Sequence, residues 1–222
     1  MHKTKIPINQ KTDVLGIIDM QLDFLPGGAL AVPEGDELIP QINRITNQFF
    51  SHAFASQDWH PINHISFASV HASKKIFDTI TLPYGQQTLW PDHCIQNSAG
   101  ANIHPNLDCA KVEVIIRKGF HRLIDSYSAF FENDGTTTTG LDAYLKARQF
   151  QRVFLVGLAT DFCVAYSAQD AIKLGYQVFV IRDACRGIGI KQTEFLNTID
   201  IAEKHLQEIG VKLIETQQLS IS

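Results

Sequence analysis

The chain has 222 residues, 45% of them hydrophobic and 19% charged, which is the make-up of a globular protein with a sizeable core. Its formal net charge of −4 excludes a broad basic field for nucleic acid or anionic membrane. Apolar runs such as "VFLVGLA" are too short to cross a bilayer, and "MHKTKIPINQKTD" lacks the apolar core of a signal peptide.

Apolar, β-rich runs alternate with helical patterns along the chain. "DVLGIID" (13–19) reads as a fully buried strand. Residues 34–50 place Leu38, Ile42, Ile45 and Phe49 on one helical face, with Pro40 confined to the first turn. "HAFASQD" (52–58) is a second strand, followed by a proline- and histidine-rich region from Trp59 to about Asn106. An irregular stretch of that length inside a compact domain is usually functional. "KVEVIIRK" (111–118) is a third strand, and 139–149 is a helix with Thr139 as its expected N-cap. "RVFLVGLA" (152–159) is a fourth strand, and the helix 161–175 follows it, closed by Gly175. A fifth strand (176–184), a helix (192–210) and a sixth strand (211–215) complete the pattern. "FENDGTTTTG" (131–140) reads as a surface loop.

This alternation predicts an α/β protein with three layers, α/β/α, around a central, mostly parallel six-stranded sheet. No repeat, low-complexity tract or linker interrupts it, so residues 1–222 read as one domain. Cys94, Cys109, Cys163 and Cys185 form no CxxC pair, and a domain of this size needs no disulfides. A reducing cytoplasm is therefore the expected location.

Sites in open α/β sheets form beyond the carboxyl ends of the strands. Asp19 ends the first strand, Lys118 ends the third, and Cys163 follows the fourth. Each has an ordinary structural reading alone: a turn cap, a solvated strand end, a small core residue. Together they give a thiol, a proton acceptor and a cation on one sheet edge, which suits acyl transfer. A thiol near a helix N-terminus is expected to ionise readily. Backbone N–H groups at Ala159 and Cys163 could form an oxyanion hole.

Asp58 and His60 in "DWH" are two residues apart in an extended segment, and "LWPDHC" returns His93. One carboxylate and two imidazoles suit an open metal site. His64 is close enough to support such a site from behind. Cys94, next to His93, is expected to point away from it. Phe24 and Trp90 could wall a flat ring.

The motifs "IIDMQLDFLPGGAL", "DWHPINHISFASVH", "LWPDHCIQNSAGA", "RKGFHRLIDSYSAFFEN", "GLATDFCVAYSAQDA" and "IRDACRG" together resemble the nicotinamidase/pyrazinamidase family of isochorismatase-like cysteine hydrolases. The resemblance covers nearly the whole chain. It implies hydrolysis of nicotinamide to nicotinate and ammonia, and of pyrazinamide, through a Cys thioester. It implies a triad of Asp19, Lys118 and Cys163. It implies one divalent metal ion, zinc, iron or manganese, on Asp58, His60 and His93, meeting the pyridine nitrogen. Phe24 and Trp90 would flank the ring. Leu158 and Ala159 would line the substrate site, joined by a cis peptide bond. Some relatives add a fourth protein ligand after "DWH"; the matching position is Ser66, so water is expected there. Relatives include monomers and larger assemblies, so a homo-oligomer stays open.

Three other readings compete. One is a related hydrolase of another amide or of an enol ether, although such relatives generally lack the Asp-x-His and distal His set. Another is a catalytically idle binding module, which would be expected to carry a damaged triad. The last is a Cys–His hydrolase with His121 as its base.

Overall fold

A computed structural model describes residues 4–221; the first three residues of the polar opening segment and Ser222 lie outside it. Six strands form the central sheet: β1 (Asp13–Ile18), β2 (Ala53–Asp58), β3 (Val112–Lys118), β4 (Arg152–Leu158), β5 (Gln177–Arg186) and β6 (Lys212–Ile214). Their spatial order is β3-β2-β1-β4-β5-β6, and every pairing is parallel. The central strands β1 and β2 are buried along their full length, as a sheet covered on both faces requires, whereas the edge strand β3 alternates between exposed and covered residues.

The helices are α1 (Leu38–Phe49), α2 (Leu141–Ala147), α3 (Ala165–Lys173) and α4 (Thr198–Glu208). The β1–α1–β2 crossover runs one way along the sheet, and the crossovers carrying α2, α3 and α4 run the other way. Right-handed connections therefore put α1 on one face and the other three helices on the opposite face. The α1 helix buries Leu38, Ile42, Ile45 and Phe49, and Pro40 lies in its first turn, where no intrahelical N–H is needed.

Some boundaries differ from expectation. Gly140, with φ 91°, is the N-cap of α2 rather than Thr139, whose hydroxyl donates to Ala129 O at 2.6 Å and accepts the Leu141 N–H at 3.3 Å. The α4 helix starts at Thr198, six residues after Gln192, because Asn197 and Asp200 form a reciprocal capping box there. The chain does not enter the expected helix at 161 directly: Thr160–Val164 form a wider π turn before α3. Loop 131–140 is more than surface chain, since Glu132 turns inward and is 2% exposed. The long region after β2 holds a small hairpin, Thr79–Leu82 with Gly85–Thr88. Ile6–Ile8 pairs in parallel with Leu219–Ile221 outside the main sheet. Among the described residues, no helix is long and apolar enough to cross a membrane.

The sheet order reverses between β1 and β4. Both neighbouring connections leave that point in opposite directions, opening a crevice at the strands' carboxyl ends. Asp19 and the Thr160–Val164 turn sit at its two sides.

Candidate active site

Asp19 is set by the backbone. It lies one residue past β1 with φ 48°, a left-handed conformation that Asp tolerates better than most residues. Gly157 of β4 makes room beside it: with φ 110°, a Cβ there would come within 2.9 Å of Ile18 N. The Leu158–Ala159 peptide bond is cis, as the resemblance implied.

Lys118 is completely buried and spends its charge on two carboxylates. Its Nζ lies 2.9 Å from Asp19 Oδ2, hydrogen-bonds Asp58 Oδ1, donates to Ser126 O at 3.0 Å and lies 3.3 Å from Cys163 Sγ. Burial disfavours the ammonium, but Asp19 and Asp58 outweigh it and raise the Lys118 pKa well above its ordinary value. Ser56 Oγ donates to Asp19 Oδ1 at 2.6 Å. Asp19 Oδ2 accepts no well-directed hydrogen bond, which leaves it open toward the thiol. One oxygen each of Asp19 and Asp58 and the Cys163 sulfur lie within 4.8 Å of one another.

The thiol differs from expectation. Burial raises the Cys163 pKa well above its ordinary value; Lys118 pulls it down, and Asp19 and Asp58 push it up. Burial likewise raises Asp19 against the pull of Lys118. Burial thus favours the neutral thiol at rest. Helix position alone does not ionise a thiol that is enclosed beside two carboxylates.

Asp58 ends β2 and divides its two oxygens. Oδ1 takes Lys118, while Oδ2 stands 3.5 Å from His60 Nε2 and 3.7 Å from His93 Nε2. Burial would raise this carboxyl, but Lys118 and His60 hold it well below its usual range. His60 Nδ1 lies 2.9 Å from Gly119 O, and His93 Nδ1 lies 2.8 Å from Pro91 O. A carbonyl only accepts, so both Nδ1 atoms carry a proton, and each Nε2 offers a lone pair whenever its ring is neutral. Gly119 permits this approach: it has φ 64°, and a Cβ there would lie 2.8 Å from His60 Nδ1.

These donors fit a divalent ion. Ligands about 2.0–2.2 Å from one ion stand roughly 3.4 Å apart at tetrahedral angles. Backbone carbonyls orienting the imidazoles from behind are the usual support for metal-binding histidines. His64 stacks 4.3 Å from His60, but its own nitrogens are engaged: Nε2 faces His121 O at 3.0 Å and Ile124 O at 3.1 Å, and Nδ1 meets Ser66 Oγ at 2.7 Å. Burial and the neighbouring His60 push its pKa down to about 4, so it is neutral. Ser66 is thus committed to His64. Cys94 has φ 45°, so its segment is not extended as expected, but its thiol belongs to none of the clustered donor sets among the described residues.

Asp58, His60, His93, Phe24, Trp90, Ala159 and Cys163 all line one cavity. Phe24 approaches the His93 ring at 5.5 Å. Leu158 is packed in the core behind this cavity. The exposed His121 is absent from the lining and rests on Phe120 at 4.1 Å.

Sequence reasoning missed Leu30, Val32, Asp125, Tyr127, Phe162 and Ile188, which complete the lining. Trp90 packs edge-on against Phe162 at 4.8 Å and donates its indole N–H to Tyr127 OH at 3.1 Å. The cluster "DSYSAFF" just after Lys118, dense in polar and aromatic residues, was the available signal for two of them.

Known proteins share this arrangement of sequence and fold. The pattern of the Isochorismatase domain family matches residues 13–214. The chain is 48% identical to the nicotinamidase of Acinetobacter baylyi over 92% of this chain and 93% of that protein. It is 46% identical to the nicotinamidase of Escherichia coli over 79% of this chain and 83% of that protein. A solved structure described as Acinetobacter baumanii nicotinamidase pyrazinamidease matches with a TM-score of 0.89 at 48% identity, over 93% of this chain and 97% of that one. The yeast nicotinamidase bound to the inhibitor nicotinaldehyde matches with a TM-score of 0.84 at 30% identity, over 92% and 100%. The pyrazinamidase of Pyrococcus horikoshii in complex with zinc matches with a TM-score of 0.71 at 33% identity, over 91% and 98%.

Proposed function

The chain belongs to the isochorismatase family, and we propose that its reaction is the hydrolysis of nicotinamide to nicotinate and ammonia, with pyrazinamide as a second substrate. The observation that carries this reading is one cavity in which Cys163, the Asp58, His60 and His93 donors and the aromatic walls Phe24 and Trp90 meet. The nicotinamidases of similar sequence and the nicotinaldehyde-bound yeast enzyme support it.

In this reading the ring enters between Phe24 and Trp90, which exclude water from its faces. Asp58, His60 and His93 would hold one divalent ion, zinc, iron or manganese, supplying a Lewis acid for the pyridine nitrogen; the zinc-bound pyrazinamidase supports that choice of site. Asp19 takes the thiol proton as Cys163 Sγ attacks the carboxamide carbon. The amides of Ala159 and Cys163 receive the developing oxyanion; those of Phe162 and Val164 already donate to Ala159 O. Asp19 returns the proton to the departing nitrogen, the C–N bond breaks, and ammonia leaves a thioester on Cys163. A water then attacks the thioester, Asp19 takes its proton, and the sulfur leaves as thiolate and is reprotonated. Lys118 stays charged throughout and holds Asp19 in place. Leu158 contributes as backbone, presenting Ala159 through the cis bond.

We read residues 1–222 as one domain acting in a reducing cytoplasm, which the four free cysteines support. A substrate panel tests the assignment. Nicotinamide and pyrazinamide are expected to turn over far faster than carbamoyl amides or enol ethers. A preference for either of those would overturn it.

A further inference from the structure

β1 and β2 run in register from Leu15 and Ala53 to Ile17 and Ala55, and there their ladder stops. The cause is local. The chain turns left-handed at Asp19, which carries the carboxylate toward Lys118 and takes the backbone away from β2. Asp58 lies three residues beyond the last β1 partner. On its other side it stays in register with Lys118 of β3, where Trp59 N–H donates to Lys118 O at 2.9 Å. Backbone groups alternate sides along a strand, so the N–H and C=O of Asp58 itself face the departed β1. Left bare in this buried place, both would be costly.

Gln21 fills the gap. Its Oε1 accepts the Asp58 N–H at 2.7 Å, and its Nε2 donates to Asp58 O at 2.8 Å and to Ala101 O at 2.9 Å. One primary amide thereby copies the missing ladder of a neighbouring strand. The residue is fully buried and is not part of the cavity lining. Ionised glutamate has the length but no donor, asparagine is a methylene short, and methionine fills the space without either bond.

We propose that Gln21 is a positioning residue for Asp58. It holds the end of β2 so that one carboxylate oxygen meets Lys118 and the other faces His60 and His93. The inference rests on reading Asp58 as a metal ligand. It also explains how β1 can bend to deliver Asp19 without loosening the neighbouring strand.

The test measures Zn2+ affinity by chelator competition in the wild type and in Gln21→Met, Gln57→Met and His93→Ala. Gln57 is the control, since its Nε2 donates at 2.8 Å to the same Ala101 O but not to Asp58. Gln21→Met is expected to weaken Zn2+ binding about 10–100-fold, the usual effect of losing an outer partner of a ligand. Gln57→Met should stay within about twofold of wild type. Equal losses in the two variants, or none in Gln21→Met while His93→Ala loses binding, would overturn the role of Gln21 alone. Unchanged Zn2+ binding in His93→Ala would instead overturn the metal reading. Should Gln21→Met fail to fold, amide exchange in the wild type decides: the Asp58 N–H is expected to be as protected as the core of β2, and exchange at the rate of an exposed loop would contradict the bond.

Discussion

One ammonium joins the two halves of the site: Lys118 Nζ hydrogen-bonds Asp58 and stands 2.9 Å from Asp19 Oδ2. The proposed base and the proposed metal ligand therefore share a counter-ion. Removing it takes away the counter-ion that two buried carboxylates share. Lys118→Met is expected to cost about 3–5 kcal/mol of stability and to reduce turnover by more than 100-fold. Urea unfolding and initial rates check both numbers. Near-wild-type stability would show that the cluster is better solvated than its burial indicates.

The thiol should respond in opposite directions to its two charged neighbours. Asp19 raises the Cys163 pKa and Lys118 lowers it. In the pH profile of thiol alkylation, Asp19→Asn should move the midpoint down and Lys118→Met should move it up. Shifts of the same sign would contradict this account of the resting state. Both variants should be poor catalysts, so reactivity with an alkylating agent and turnover separate.

Glu132 gives a pH signature unrelated to catalysis. Burial, with Asp125 and Asp134 nearby, raises its pKa from 4.5 to about 7, while Lys118 and His60 pull the other way. A raised folded pKa favours the protonated form, so the folded state is stabilised below pH 4.5 relative to neutral pH and loses that contribution as pH rises through about 7. Glu132→Gln is expected to gain roughly 1 kcal/mol at pH 8, after allowing for solvent screening, and almost nothing at pH 4.5. Thermal unfolding at the two pH values measures this. A gain independent of pH would remove the titration as its cause.

The aromatic walls should govern binding more than chemistry. Trp90→Ala and Phe24→Ala are each expected to lower kcat/KM about 10–100-fold, mainly through KM. Steady-state kinetics with nicotinamide reads the split. An effect confined to kcat would mean that these rings hold the reacting groups rather than the substrate. Trp90 has the larger expected effect, because it also braces Phe162 and Tyr127.

Much of this was legible in the sequence, for physical reasons. Six apolar runs separated by helical periodicity specify a parallel sheet, and the polar residue that ends each run marks a strand end. Asp19, Lys118 and Cys163 were found in that way. Asp58, His60 and His93 were found from spacing and motif. The charge state of Cys163 was not legible, because it depends on how closely Asp19, Asp58 and Lys118 crowd together across three strands. Thr139 misled as a cap because Gly140 can adopt φ 91° and its neighbour cannot do so as readily. Tyr127, Phe162 and Ile188 carry no periodic signal; they reach the cavity through irregular chain after β3, β4 and β5. The double role of Gln21 was hidden for the same reason, since it answers a break in pairing that only three dimensions reveal.

Ammonia release from nicotinamide by the purified wild type and by Cys163→Ala decides whether Cys163 is the nucleophile of an amide hydrolysis. Steady release is expected from the wild type and none above background from a folded Cys163→Ala. Equal release by both proteins, or none from a folded, zinc-loaded wild type, would contradict that assignment.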